Sequence, residues 1–190
     1  MSRVPDAPIL DLFLQRHSSR ALSGEPLRAG ELEALLEAAR WAPSGGNVQP
    51  WRVVRTVSGT PAFEAVLHGL ADSNQVWARR AGALLVWTSK TTYGEENKPM
   101  RTHAFDAGAA WMGLALEGAH RGLVVHAMGG FEETKVRAAV RVPADHEIHA
   151  VVAVGNPGRL EDLPEKLQAR EAPSLRNSVG EWAFVDAFPG

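Results

Sequence analysis

Arg16-His17-Ser18-Ser19-Arg20 gathers two guanidiniums, an imidazole and two hydroxyls within five residues. That set suits a phosphate, which takes charge-assisted donors in the fork that arginine presents. It equally suits a solvated helix C-terminus, where cations complement the dipole. Residue chemistry alone leans to the second reading. The stretch Trp41-Ala42-Pro43-Ser44-Gly45-Gly46-Asn47-Val48-Gln49-Pro50-Trp51 is rich in chain breakers and polar groups. Such a loop can offer backbone N–H and amide groups to a heteroaromatic ring, or simply join a helix to a strand. His146-Glu147-Ile148-His149 is the nearest approach to a metal motif. On a strand its two histidines fall on opposite faces. On a helix they supply only two of the three or four ligands that zinc takes.

Other chemistries are excluded more firmly. The chain has no cysteine, which removes disulfides, thiolate metal sites and cysteine nucleophiles. It has no Gly-x-Gly-x-x-Gly, no Gly-Lys-Ser/Thr phosphate loop and no Gly-x-Ser-x-Gly elbow. A net charge of -2 argues against a dedicated nucleic-acid surface. The longest uncharged apolar run, Ala107 to Leu116, falls short of the roughly 20 residues that cross a bilayer. Asp6, Asp11 and Arg16 interrupt any signal-peptide pattern. The expectation is a soluble, cytoplasmic protein with no nucleic-acid or membrane partner.

The elements that must position these residues follow from hydrophobic spacing. Leu10, Phe13, Leu14 and His17 predict a helix over Ile9 to His17, capped by Asp6. Leu32, Leu35, Leu36 and Ala39 form the stripe of a second helix, which Pro43 stops. Trp51 to Val57 reads as a strand, Pro61 to Leu70 as a helix, and Ala83 to Thr88 as a buried strand. Thr102 to Arg121 is the longest helix, apolar over most of its circumference and so expected in the core, with Gly122 closing it. Leu123 to Ala127 is a strand, Glu132 to Val140 a helix, and Ile148 to Val154 another buried strand. Beyond Asn156 the pattern dissolves. Pro157, Pro164, Pro173 and Pro189 punctuate it, with room for a helical turn within Glu161 to Arg170. Yet Leu175, Val179, Trp182, Phe184, Val185 and Phe188 are too apolar for a free tail. They predict an arm packed on its own domain or wrapped around a partner. The alternation of helices and strands predicts an α+β or α/β domain with a sheet between helices.

Taken in order, these segments resemble one family. Arg-x-Ser-x-Arg at Arg16, Ser18 and Arg20 precedes an amphipathic helix and then Ala42-Pro43-Ser44, Asn47, Gln49-Pro50-Trp51. Asn74-Gln75-Val76-Trp77, Asp106-x-Gly108, Met128-Gly129-Gly130-Phe131, Pro143, Val154-Gly155-Asn156-Pro157 and Arg176 follow. The combination is similar to the FMN-dependent nitroreductases, in their short, single-domain branch, over about residues 9 to 182. Gly82 stands where many relatives have proline, and Asn177 where some have a basic residue.

The resemblance implies an α+β fold, a three-layer α/β/α sandwich. It also implies a homodimer that carries FMN at the subunit interface. Residues 1–155 would form the flavin-binding core and 156–190 an extension of the same domain, an arm around the partner subunit. Arg16, Ser18 and Arg176 would hold the phosphate or ribityl end, with His17 lying among the FMN-gripping residues. Arg20 would sit at N1 and O2 of the flavin, where a cation stabilises the acidic reduced form. Pro43, Ser44, Gly45 and Asn47 would come from the other subunit, and Asn74 would bond the pyrimidine. Val125, His126, Ala127, Gly129 and Gly130 would line the ring near N5 and O4. NADH or NADPH would deliver hydride to N5, and a nitroaromatic, quinone or unsaturated carbonyl would take it in a ping-pong cycle. Alternatives on the same fold are dehalogenation, dehydrogenation, flavin cleavage, or a flavin carrier without turnover.

Overall fold

A computed structural model describes residues 3–188; Pro189, one of the predicted punctuating prolines, lies outside the described residues. The elements run α1 (Asp11–Gln15), α2 (Glu31–Arg40), β1 (Trp51–Val57), α3 (Pro61–His68), α4 (Asp72–Ala78), β2 (Ala83–Lys90) and β3 (Thr92–Tyr93). Then come β4 (Lys98–Pro99), α5 (His103–His120), β5 (Val124–Met128), α6 (Glu133–Val140), β6 (His146–Gly155) and α7 (Glu165–Gln168). Four strands form one sheet in the order β1-β2-β6-β5, and each neighbouring pair is antiparallel.

The two central strands show why the sheet lies between helices. Both are apolar on both faces, and side chains alternate along a strand. Leu84 and Val86 of β2, with Val151 and Ala153 of β6, pack against Phe63 and Val66 of α3, Trp77 of α4 and Val136 of α6. The intervening Leu85 and Trp87, with Val152 and Val154, meet Leu35 and Ala39 of α2 and Ala110 and Leu114 of α5. The result is the expected three-layer α/β/α sandwich. Its antiparallel pairing makes it α+β and excludes a doubly wound parallel sheet.

Several elements differ from expectation. The helix predicted from Ile9 to His17 forms only over Asp11–Gln15, and Leu10, not Asp6, precedes it without a side-chain cap. Its stripe is uncovered, with Leu10 71% and Phe13 44% exposed, and a helix this short extends only when packing supports it. Asp6 instead accepts a bond from the Val179 N–H at 2.7 Å, tying the first segment to the tail. Helix α4 and the β3–β4 hairpin were not anticipated, being too short to show a period. Helix α5 is not enclosed all round. Ala107, Ala110, Leu114 and Ala115 are buried, but Phe105 is 80% exposed.

Strands β2 and β6 both outrun their predicted ends, and a β-bulge explains the chemistry there. Trp87 pairs with Ala150 and Thr88 with Ile148, which leaves His149 unpaired. A bulge re-aims the side chain it carries. Here His149 Nε2 lies 2.7 Å from the buried Ser89 Oγ, which also meets His103 Nδ1 at 2.8 Å. A serine hydroxyl carries one proton, so one imidazole accepts from it and the other donates. Glu147 faces the far nitrogens of both rings at 3.7 Å. This ring of groups pins the first turn of α5 to the sheet. His146 turns instead to Asp145, at 2.8 Å. Among the described residues no group of three or more His, Cys, Asp or Glu side chains could hold a metal ion.

Burial lowers the pKa of His149; Glu147 raises it and His103 lowers it further. A histidine held neutral by the fold contributes stability above its unfolded pKa of about 6.5, and that contribution is lost as pH falls through its lower folded value. Thermal melts from pH 7 to pH 5 should therefore fall more steeply for the wild type than for His149→Gln. Parallel curves would contradict this. A second expectation concerns the approach of α5 to β5. A β-carbon at Gly118 would overlap Val125, which is buried, β-branched and unable to turn aside. Gly118→Ala should cost about 1–3 kcal/mol in urea unfolding.

Candidate cofactor site

Helix α1 ends at Gln15, and Arg16 leaves the helical region with ψ 122. Residues 16–20 then run extended and half-buried. Arg16 Nη1 donates to Ser18 Oγ at 3.1 Å. Arg3 lies beside them. Its Nη1 donates to the carbonyls of Leu14 and Arg16 at 2.8 and 2.7 Å, and its Nε to Ser174 O at 3.1 Å. These bonds satisfy carbonyls at the end of α1 and hold the tail against it. Arg176 is exposed and, among the described residues, bonded only to its own turn, at Ser174 and Leu175. The Arg16 guanidinium is lowered from its ordinary pKa by burial, then by the charges of Arg3 and Arg176. Among the described residues none of these three arginines makes an ion pair.

Guanidiniums gathered without an ion-pair partner repel one another until an anion joins them. Two clefts adjoin the cluster. One, of about 200 Å³, lies between Arg16, His17 and Ser19 and the end of α5 at Ala119. The other, of about 400 Å³, is lined by Arg3 and Arg176, by the carboxylate of Asp6, and by apolar Ile9, Phe13 and Leu175. The donor set fits a phosphate and the apolar walls fit the organic part of a phosphorylated cofactor.

Arg20 is placed by a residue far away in sequence. Glu171 is buried, and its Oε1 accepts from the Ser19 hydroxyl, from Arg20 N at 2.6 Å and from Ala21 N at 3.3 Å. Its Oε2 faces Arg20 Nη1 at 3.5 Å. Burial pushes the Glu171 carboxyl up, but the bonds from Ser19, Arg20 and Ala21, with His17 nearby, hold it below the ordinary value. His17 is lowered by burial and by Arg3, Arg16 and Arg20, against the pull of Glu171. His126 contacts Ser19 O through Nδ1 at 2.9 Å and lies on Trp77, ring centres 4.6 Å apart. Burial lowers its pKa, so the neutral ring donates from Nδ1 to that carbonyl. His126 thus joins β5 to the Arg16–Arg20 segment.

Asn74 and the glycine loop are brought together. Asn74 Nδ2 donates to Gly130 O at 3.0 Å, and Ala71 N reaches the same carbonyl at 2.9 Å. A β-carbon at Gly130 would stand 2.9 Å from Asn74 Nδ2, so this approach needs glycine, while Gly129 faces open space. The side chains of Val125 and Ala127 point to the α2–α5 layer and belong to its core, so these two residues present backbone.

The loop after α2 folds tightly. Ser44 Oγ accepts from Gln49 N at 2.9 Å, and Gln49 Nε2 reaches Asn47 O and Oδ1, both at 3.1 Å. Asn47 and Gln49 adopt φ of 57 and 52, strained for residues other than glycine and asparagine. Pro43, Gly45 and Asn47 are exposed. Buried Asp106, in the first turn of α5, accepts from Gly45 N at 3.1 Å and from Thr102 Oγ1 at 3.2 Å. This loop is not brought to the arginine cluster within one chain. It sits at the start of α5, whereas Arg16 and His17 line a cleft at its end. Asp106 and Ala119 are 13 residues apart, about 20 Å along a helix.

Two participants escaped the sequence reading. Arg3 is an isolated arginine before the first helix, and Glu171 an isolated acid after α7. Neither carries a spacing signal. Asp106 did show a signal, at the head of the longest helix, but not its hold on Gly45.

Comparison with known proteins agrees with this geometry. The model of the nitroreductase family matches residues 13–156. A protein described as NADH dehydrogenase from Thermus thermophilus is 31% identical over 186 residues, covering 79% of this chain and 88% of the relative. A solved structure described as an oxidoreductase containing FMN superposes with a TM-score of 0.94 at 37% identity, covering 99% of this chain and 96% of that one. A putative nitroreductase in complex with FMN, from Desulfovibrio desulfuricans, shares the fold at 23% identity, with a TM-score of 0.74 over 97% of this chain and 99% of that one. The chain belongs to the nitroreductase family.

Proposed function

We propose that this protein is a flavin oxidoreductase that holds FMN between two copies of the chain. The observation that carries the reading is the cluster of Arg3, Arg16 and Arg176, which has no carboxylate partner among the described residues. Arg16, Ser18 and Arg176, with His17 beside them, bind the phosphate or ribityl end. Arg20 stands at the pyrimidine edge, and Asn74 with the Gly129–Gly130 loop and the backbone of Val125 to Ala127 borders the ring. Bound FMN would supply the redox chemistry, taking hydride from NADH or NADPH and passing it to an organic acceptor in alternating half-reactions. The protein's part is to bind, orient and exclude water, and it needs no nucleophile of its own.

A second copy completes the site. Pro43, Ser44, Gly45 and Asn47 belong to the neighbouring subunit in this reading, because their own chain holds them at the start of α5 while Arg16 lines a cleft at its end. Uncovered apolar surface supports the pairing. Phe105 is 80%, Leu10 71%, Trp182 64% and Phe188 85% exposed, and large apolar side chains left to solvent are surface that a partner can bury. The tail from Pro173 to Phe188 is exposed along its own chain and serves as the arm around the partner.

The purified protein should be yellow or take up added FMN, and anaerobic NADH or NADPH should bleach it within catalytic times. A colourless protein that takes up no FMN refutes the reading, and a yellow one that no nicotinamide reduces is a carrier. Arg16→Ala should weaken FMN binding by about 1.5–3 kcal/mol in fluorescence titration, the scale of a charged hydrogen bond. Light scattering should give twice the chain mass for the wild type. Phe105→Glu, which buries a charge in the proposed contact, should shift it toward the monomer and weaken FMN uptake with it.

A further inference from the structure

Glu171 does more than join the tail to the Arg16–Arg20 segment. Its Oε1 is held by three donors: the Ser19 hydroxyl and the N–H groups of Arg20 and Ala21. The carboxylate is therefore fixed, and its side chain is only 9% exposed. Its second oxygen lies 3.5 Å from Arg20 Nη1, which also makes a 3.4 Å contact with Arg170 O. Both contacts are long. Among the described residues Arg20 Nε and Nη2 have no acceptor. The guanidinium is thus oriented from one side and left with donors to spare.

We propose that Glu171 tunes the redox potential of the flavin: it positions Arg20 at the pyrimidine edge and offsets part of its charge. This inference rests on the flavin reading above. Reduction of the flavin takes two electrons and one proton and leaves one negative charge at N1. A cation there favours the reduced form. A carboxylate fixed behind that cation brings the local charge back toward zero and weakens the preference. Burial matters to the size of the effect, because charges away from bulk water are poorly screened. The other titratable groups facing this spot are His17 on the same segment and His126 on β5. Burial lowers both from their ordinary values; Arg3 and Arg16, whose charges also act on His17, are the same in every Glu171 variant, so a difference among these variants reports Glu171.

A purely structural Glu171 and a tuning Glu171 predict opposite rankings for two variants. Glu171→Gln keeps an acceptor oxygen for Ser19 and the backbone but loses the charge. Glu171→Asp keeps the charge but shortens the reach. Each full-length protein is loaded with FMN, and its midpoint potential is measured by equilibrium titration against a reference dye. FMN affinity and melting temperature are recorded alongside. Glu171→Gln should raise the ratio of reduced to oxidised flavin about tenfold at fixed poise, or about 30 mV for a two-electron couple. Glu171→Asp should stay within about threefold of the wild type, or about 15 mV, while melting lower. An unchanged potential in Glu171→Gln overturns the proposal, as does a Glu171→Asp shift of equal size.

Should Glu171→Gln fail to fold, Ser19→Ala gives the same information. It removes one donor, so Glu171 should protonate at higher pH than in the wild type. The potential of Ser19→Ala should then rise above that of the wild type as pH falls from 6 to 4. Superimposable curves overturn the proposal. Wild-type protein that takes up no FMN refutes the flavin reading itself. Bound FMN with an unresponsive potential refutes only the tuning role.

Discussion

Like charges held side by side shape much of this molecule. Burial and the charges of Arg3 and Arg176 lower the Arg16 guanidinium, and among the described residues none of the three makes an ion pair. Such a cluster persists only if the fold holds it rigidly. The N-terminal segment does so through Arg3, which binds the last carbonyls of α1 and reaches across to Ser174. Asp6 adds a second strut to the tail at Val179. Glu171 anchors the following residues from below. The cations are thus fixed by bonds to carbonyls and hydroxyls rather than by neutralisation, which leaves their charge available to a ligand.

Helix α5 is the other organising element. One face closes the core beneath the sheet, where Trp87 Nε1 donates to Ala107 O at 3.0 Å. Its start carries Asp106 and the Ser89–His103–His149 group, and through Asp106 it fixes the Gly45 loop. Its end borders the arginine cleft. One rigid rod therefore spaces two sets of functional groups, and its uncovered face lies between them. This accounts for a helix that is apolar nearly all round but buried on one side.

The sequence was most legible where residues pack in a regular period. The stripe of Leu32, Leu35 and Ala39 and the two-sided apolar runs of β2 and β6 located the layers correctly. Legibility failed where tertiary context decides. Leu10 and Phe13 have helical spacing, but nothing covers them in this chain and α1 stays short. His149 looked like half of a metal motif, and only the bulge in β6 shows that it turns to Ser89. The arginine segment was ambiguous by chemistry and became informative through its ordered neighbours. Glu171 could not be found at all, because its contacts span about 150 residues and no local pattern encodes them.

The separation of the Gly45 loop from the arginine cleft has a genetic consequence if two copies share each site. A chain damaged in the loop still carries a sound cradle, and a chain damaged in the cradle still carries a sound loop. Neither forms a working homodimer. A mixed pair would contain one site built from two damaged halves and one built from two intact halves. Two inactive alleles expressed together would then recover activity, while either allele expressed beside the wild type would spoil only one site in each mixed dimer. The placement of loop and cradle at opposite ends of α5 would thereby turn loss-of-function lesions into complementing classes.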